Sequence, residues 1–280
     1  MRTYSRTTLS AALFALTLST ISICRAESLF PDPALEAAVR KNVFSKRGTQ
    51  EPLTADDVKD LSQVVAKGVG IRDLSGIEHC KRLMLLDLAD NEISDLSPVS
   101  GLELLQSLTL SNNKIEDIGA LKELSRLQYI ELSGNKVANL EPLSSLENLR
   151  SLYLSGNAID DLKPLSGLEK LVSLYLDHNR VEDLTPLSGI KRLNSLNLAN
   201  NQISGLSALK ELIALNRLDL ANNKITDISV LAEMAAADAE GDQRFASFWS
   251  VDLSGNPLSG ASKSDHLATL KKHSTRIKAN

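Results

Sequence analysis

Residues 149–170 read LRSLYLSGNAIDDLKPLSGLEK, and residues 171–192 repeat the pattern as LVSLYLDHNRVEDLTPLSGIKR. Counted from the first leucine of each copy, positions 1, 4, 6, 11, 14, 17 and 20 are aliphatic. The same spacing of 22 residues runs without a slip through seven leucines: Leu83, Leu105, Leu127, Leu149, Leu171, Leu193 and Leu215. A chain with such a period folds as a stack of one supersecondary unit, because each copy buries its apolar side chains only against its neighbours.

Within each copy, the segment x-Leu-x-Leu alternates in the way that a half-buried strand does. Positions 4 and 6 are therefore expected to point inward, and positions 3, 5 and 7 outward. The second half of a copy often carries Asp at position 13, Ser or Thr at position 15 and Pro at position 16, as in Pro164 and Pro186. A Ser or Thr before Pro is typical of a cap that starts a short helical turn. Each copy is thus predicted to be a strand, a turn and a short helical return.

Position 9 is asparagine in all seven copies: Asn91, Asn113, Asn135, Asn157, Asn179, Asn201 and Asn223. At this position the chain turns off its strand toward the interior, where backbone groups lose water. An amide side chain can both donate and accept hydrogen bonds, whereas a carboxylate can only accept them. We therefore expect these asparagines to satisfy backbone groups inside the turn.

The pattern L-x-x-L-x-L-x-x-N-x-I-x-D-L-x-P-L resembles the 22-residue leucine-rich repeats of bacterial internalin-like proteins. The resemblance covers about residues 61–260 and extends to the flanks, notably Phe30-Pro31-Asp32-Pro33 and the segment 53–61. It implies an α/β fold: a right-handed leucine-rich-repeat solenoid with a parallel β-sheet on the concave side, short helical turns on the convex side and helical caps at both ends. It also implies a binding role, since members of the family commonly bind other proteins through the concave face.

Four segments are predicted. Residues 1–26 have the pattern of a signal peptide, with Arg2 and Arg6 before an uncharged run that ends at Cys24. An uncleaved membrane anchor is the alternative, but the run is polar in places and short for a span. Residues 27–60 are expected to form a helical N-terminal cap, residues 61–260 about nine repeats with an insertion near 235–247, and residues 261–280 a cap helix with a basic tail. We expect a secreted or periplasmic bacterial protein with no membrane span after cleavage.

Four helices and one cysteine complete the predicted caps and core. Asp32 and Pro33 should open a first cap helix, and Thr54 with Asp57 a second one. Ser229 should cap a full helix that ends at Gly241, and a final helix should run from about Asp265 to His273. Outside the signal segment Cys80 is the sole cysteine, and it occupies aliphatic position 20. We expect a small core side chain there rather than a reactive thiol.

Several classes of function are disfavoured. Three of the 31 Lys and Arg side chains lie in the signal segment. The rest of the chain therefore has 28 basic and 35 acidic side chains, a formal charge of −7. Nucleic acid is therefore not an expected partner, because it needs a clustered basic surface. Four scattered histidines and the lack of catalytic motifs predict no metal, no cofactor and no enzyme. The Asp column at position 13 is attributed to capping of the helical turns rather than to calcium.

The concave rows supply the predicted binding site. All three tyrosines outside the signal segment occupy outward positions in adjacent copies, and charged residues accompany them. Tyrosine is favoured at recognition surfaces because it offers a large rigid contact area and a polar group. The expected patch comprises Tyr129, Glu131, Tyr153, Tyr175, Asp177 and His178, with Arg180 at its rim.

These observations predict a monomeric, non-catalytic binding protein that recognises a protein or peptide through the tyrosine patch. Three alternatives stay open, and an unrecognised hydrolase is one of them. Another is a glycan or cell-wall binding protein, since stacked tyrosines beside carboxylates also suit sugar rings. The third is that the tyrosines only pack on one another and stabilise the strands.

Overall fold

A computed structural model describes residues 28–241, 249–274 and 276–279. The described residues contain one open sheet of ten parallel strands, which follow one another in chain order. Each strand is three residues long, and the first eight lie at positions 3 to 5 of their repeats. The strands are β1 Gln63–Val65, β2 Leu85–Asp87, β3 Ser107–Thr109, β4 Tyr129–Glu131, β5 Ser151–Tyr153, β6 Ser173–Tyr175, β7 Ser195–Asn197, β8 Arg217–Asp219, β9 Ser250–Asp252 and β10 Arg276–Lys278. The predicted leucine-rich-repeat solenoid is thus confirmed.

The strand register preserves the 22-residue spacing. Leu152 of β5 pairs with Leu174 of β6, and Tyr153 pairs with Tyr175. Equivalent positions of successive repeats therefore form straight rows across the sheet. The middle residue of every strand from β1 to β9 is buried, and its two neighbours from β2 onward are mostly half-exposed. The inward and outward positions predicted from the alternation are confirmed.

The position-9 asparagines join each coil to the preceding one. Asn135 is 8% exposed, and its Oδ1 accepts a hydrogen bond of 3.0 Å from the Ile115 amide. Its Nδ2 donates to the carbonyls of Leu110 and Leu132, each at 2.9 Å. The amide thus satisfies buried backbone groups of two coils at once, as its donor and acceptor capacity predicted.

Short 3₁₀ turns form the convex side. Their bounds are Ile77–His79, Ser97–Val99, Gly119–Leu121, Glu141–Leu143, Lys163–Leu165, Thr185–Leu187 and Ser207–Glu211. The predicted Ser or Thr cap is wrong, since Ser97 and Thr185 are the first residues of their turns and not caps. The capping role predicted for the position-13 aspartates is confirmed: Asp183 Oδ1 accepts from the Thr185 amide at 2.8 Å. An aspartate reaches the amide two residues on and so stabilises the turn.

The N-terminal cap comprises helix α1, Pro33–Arg40, a 3₁₀ turn at Phe44–Lys46, and helix α2, Ala55–Val58. Asp32 caps α1 by accepting from the Ala34 amide at 2.8 Å. Its second oxygen accepts from the Arg72 amide at 2.8 Å, which ties the helix to the first coil. Thr54 and Asp57 form the predicted capping box at α2. The cap thereby covers the otherwise open apolar end of the stack.

The C-terminal end differs from the prediction in two ways. Helix α3 spans Ser229–Glu240 and ends before Gly241 as expected. Ser229 is its first residue rather than its cap, and the Ser229 amide donates to Asp227 Oδ1 at 2.9 Å. A π-helical turn, Ser262–His266, leads into helix α4, Leu267–His273. The end of the expected basic tail, Arg276–Lys278, forms strand β10, which pairs with β9 and raises the number of strands from nine to ten.

Some predicted features lie outside the described residues. The signal segment 1–26 and residues 242–247 of the predicted insertion are among them. Within the part of the chain that the structure describes, no helix has the length and apolar character needed to cross a membrane.

Candidate functional site

The concave face consists of the outward rows at positions 3, 5 and 7. Row 5 carries the most varied side chains: Val65, Asp87, Thr109, Glu131, Tyr153, Tyr175, Asn197, Asp219, Asp252 and Lys278. Adjacent strands lie about 4.8 Å apart, so neighbours in a row are in contact range. The rows therefore hold the side chains that distinguish one repeat from the next.

The three predicted tyrosines form one continuous aromatic ladder. The ring centroids of Tyr129 and Tyr153 are 5.4 Å apart with planes tilted by 42°. Those of Tyr153 and Tyr175 are 4.9 Å apart with a tilt of 34°. Both separations lie in the range of attractive aromatic pairs. All three side chains are half-buried, so each ring also faces solvent on the concave side.

Burial raises the pKa of Tyr129 above its usual value, and the negative charge of Glu131 raises it further. Its phenol therefore keeps its proton at neutral pH and can act as a hydrogen-bond donor.

Glu131 and Asp177, the two carboxylates of the predicted site, also form hydrogen bonds within the sheet. Glu131 Oε1 accepts from the Ser133 amide at 2.8 Å. Asp177 Oδ1 accepts from the Ser155 hydroxyl at 2.5 Å and from Asn197 Nδ2 at 2.9 Å. Asp177 thus links three successive repeats, β5 to β7. Each carboxylate has a second oxygen for which no hydrogen bond is seen within the described ranges.

His178 and Arg180 lie further toward the rim. His178 occupies position 8, where φ is positive in every repeat of the row, and its φ is 57°. Its ring nitrogen Nε2 is 3.2 Å from Asn200 Nδ2 of the next coil. Arg180 Nη2 donates to the Ala158 carbonyl at 2.7 Å. Both side chains are exposed and bridge neighbouring coils. The structure thus holds the ladder and Asp177 together and places these two residues on the edge turn beside them.

Sequence reasoning missed a depression at the C-terminal end of the sheet. It has a volume of about 200 Å³ and begins at the last tyrosine of the ladder. Its lining includes Tyr175, Asn197, Arg217, Asp219, Ser250, Asp252 and Lys278. Asp219 and Asp252 were recognisable in row 5, but Lys278 was read as part of a solvated tail. Only the alternation Arg276-Ile277-Lys278 signals a strand, and three residues are too few to predict one.

Cys80 contributes no reactive group to this surface. Cys80 is fully buried in the core. Burial raises the pKa of its thiol to about 12, with a contribution from the charge of Glu78. Such a thiol carries no appreciable thiolate at neutral pH and is unreactive. The described residues contain no cluster of three or more His, Cys, Asp or Glu side chains arranged to hold a metal ion.

Comparisons with known proteins agree with this architecture. The family model described as leucine rich repeats (2 copies) matches residues 147–189 and 191–233, and the one described as leucine rich repeat matches residues 81–137. No curated protein sequence is significantly similar to the chain. The stacked strands, the asparagine column and these matches define a leucine-rich-repeat protein.

Solved structures narrow the class. Internalin C2 from Listeria monocytogenes is 34% identical, with a TM-score of 0.71 over 74% of this chain and 91% of that one. The functional domain of InlJ from the same species is 24% identical, with a TM-score of 0.66 over 87% of this chain and 54% of that one. The ectodomain of the plant receptor kinase GASSHO1/SCHENGEN3 from Arabidopsis thaliana shares the fold at 22% identity, with a TM-score of 0.58 over 68% of this chain and 23% of that one. The chain belongs to the internalin-like family of leucine-rich-repeat proteins.

Proposed function

We propose that this protein is a non-catalytic, exported binding protein that recognises a protein or peptide on the concave face of its solenoid. The proposed contact residues are Tyr129, Glu131, Tyr153, Tyr175, Asp177, His178 and Arg180. The observation that carries the proposal is the ladder of three half-exposed tyrosine rings with centroids 4.9 and 5.4 Å apart.

A tyrosine ladder suits a protein partner for energetic reasons. Each ring is already held by its neighbours, so little side-chain entropy remains to be lost when a partner binds. Tyrosines are also enriched among the few residues that supply most of the binding free energy of an interface. The fold is typical of scaffolds that bind proteins, and the plant ectodomain of the same fold was solved in complex with CASPARIAN STRIP INTEGRITY FACTOR 2.

The charged residues of the patch fit the same role. Glu131 and Asp177 each use one oxygen within the sheet, so their orientation is fixed before a partner arrives. Their second oxygens can accept hydrogen bonds from a peptide backbone or a polar side chain, and the phenol hydroxyls can both donate and accept them. A preorganised polar group loses less free energy on binding than a mobile one does.

Glycan binding is the second candidate, because aromatic rings beside carboxylates also bind sugars. The ring planes are tilted by 42° and 34°, so they do not form the flat surface on which a sugar ring stacks best. This geometry favours the protein partner.

The test begins with affinity capture from the native envelope, followed by measurement of Kd for the purified partner. Replacing both Tyr153 and Tyr175 by alanine is expected to raise Kd tenfold or more, since about 1.4 kcal/mol corresponds to a factor of ten. Isothermal titration calorimetry or surface plasmon resonance gives the comparison. Parallel pull-down on peptidoglycan and polysaccharide tests the glycan alternative.

Thr109→Ala is the matched control, because Thr109 lies in the same row on β3 and outside the ladder. It should leave Kd unchanged. An unchanged Kd in the double tyrosine variant would remove the ladder from the binding site, and binding to polysaccharide alone would replace the protein partner with a glycan.

A further inference from the structure

The depression beside Tyr175 has the size of a single side chain. Its volume is about 200 Å³, and a cavity of about 150 Å³ already holds a benzene molecule. It lies on row 5 and spans strands β6 to β10, where Asn197, Asp219, Asp252 and Lys278 follow one another across the sheet. A ligand group that enters it would contact Tyr175 on one side and the carboxylates on the other.

The charges that line the depression are unevenly neutralised. Asp252 forms an ion pair with Lys278, with 3.4 Å between Oδ2 and Nζ. Asp219 accepts a hydrogen bond of 3.0 Å from the Ala221 amide, but it forms no ion pair with any described residue. Arg217 precedes Asp219 by two residues on β8; its side chain is exposed and likewise has no ion-pair partner within the described ranges. Asp219 is therefore a half-buried carboxylate that has no ion-pair partner among the described residues, although Arg217 and Lys278 line the same depression.

The pKa of Asp219 reflects the lack of an ion pair. Burial raises the pKa of Asp219, and the charges of Asp252 and Asp177 raise it further; the hydrogen bond from the Ala221 amide and the Lys278 ammonium oppose this rise only in part. A neighbouring positive charge would favour the ionised carboxylate and so offset the cost of desolvation and the repulsion. The ionised form of Asp219 is therefore disfavoured in the free protein, and a bound cation would stabilise it.

Tyr175 provides the second feature of a cation site. An arginine or lysine whose stem lies along an aromatic ring buries its methylene groups, and its charge is attracted to the ring face. Tyr175 is fixed by its contact with Tyr153, so the ring is already in place beside the depression.

We propose that this depression receives one basic side chain, an arginine or a lysine, of the protein partner. The cation would lie beside Asp219 and the stem against Tyr175. This inference rests on the proposed function and adds the chemistry of one anchoring group. It also predicts that the partner presents a basic residue next to the segment that contacts the tyrosine ladder.

Nuclear magnetic resonance titration of the purified protein tests the proposal, with Nα-acetyl-arginine amide as the ligand. The amides of Ala221 and Ser254 donate to Asp219 and Asp252, each at 3.0 Å, and so report on the two carboxylates. Their resonances should shift in a saturable way with the arginine compound and not with Nα-acetyl-citrulline amide, which has the same shape without the charge. Asp219→Asn should weaken binding at least tenfold.

The control is Asp160→Asn, which removes an exposed carboxylate elsewhere in the repeats. It should leave the titration unchanged. Equal shifts with the citrulline compound, or unchanged affinity in Asp219→Asn, would overturn the proposal. If the arginine titration fails while the tyrosine variants still weaken partner binding, the depression alone is wrong. If the titration succeeds while the tyrosine variants bind normally, the ladder alone is wrong.

Discussion

The two faces of each strand contrast in how far they vary along the molecule. The inner positions 4 and 6 carry a buried aliphatic side chain in almost every repeat, and the position-9 asparagine behind them recurs with the same hydrogen bonds. The outward rows change from Val65 through the tyrosines to Asp252. The contrast separates two tasks. The uniform interior stabilises each coil against its neighbours, whereas the variable concave rows are free to specify a partner.

The interior half of this comparison predicts the largest effect. Asn135→Ala removes an acceptor for the Ile115 amide and donors to the Leu110 and Leu132 carbonyls. A buried backbone group without a partner costs about 1–3 kcal/mol. The free energy of unfolding should therefore fall by about 3 kcal/mol or more, as measured by urea denaturation.

Asn139→Ala is the matched control, because Asn139 is exposed and, among the described residues, its side chain only accepts one hydrogen bond, from the Glu141 amide at 2.9 Å. Its loss should cost about 1 kcal/mol or less. Asn135→Asp should be nearly as damaging as Asn135→Ala, since a carboxylate cannot donate to the two carbonyls. A well-tolerated aspartate would contradict the account of the asparagine column.

On the concave face we expect a smaller effect on the free energy of unfolding, and its direction depends on pH. The pKa of Asp219 is raised by burial and by its acidic neighbours above the ordinary 3.8. Its contribution to stability is therefore full below about pH 4 and is lost as the pH rises through the raised pKa. The free energy of unfolding of Asp219→Asn at pH 7 should equal or exceed that of the wild type. Any difference in favour of the variant should disappear on acidification.

Asp252 is the neighbour of Asp219 in row 5, on strand β9, and its contribution to stability should depend on pH in the opposite direction. Burial acts to raise its pKa, but hydrogen bonds from Ser254 and Lys278 outweigh burial, and the pKa lies below 3.8. Its stabilisation is present above that value and is lost as the pH falls through the lowered pKa. Asp252→Asn should therefore be less stable than the wild type at pH 7. Equal pH profiles for the two variants would contradict the assigned charge pattern.

Most of the fold followed from local rules in the sequence. Leu83 to Leu215 fixed the period, and the alternation around Leu152 gave the inward and outward faces. The amide chemistry of the position-9 asparagines predicted their hydrogen bonds. Each of these inferences depends on contacts between adjacent repeats, which the spacing alone specifies.

Features that depend on the end of the stack were not predictable in this way. Strand β10 has no repeat of its own, and it is stabilised by pairing with β9 and by the Lys278–Asp252 ion pair. The depression beside Tyr175 was missed for the same reason. The sequence offered two caps for the 3₁₀ turns, Ser or Thr at position 15 and Asp at position 13, and only the aspartate reaches the amide two residues on.

Leu152 and Tyr153 are adjacent on β5 and face opposite sides of the sheet, so they test the separation of tasks most directly. The measurement is the free energy of unfolding and the partner Kd for Leu152→Ala and for Tyr153→Ala. Leu152→Ala should lose about 2–5 kcal/mol of stability and keep the Kd of the folded protein. Tyr153→Ala should lose about 1 kcal/mol and raise Kd. If Tyr153→Ala instead loses as much stability as Leu152→Ala and binds the partner normally, the concave tyrosines serve the fold, and the account is contradicted.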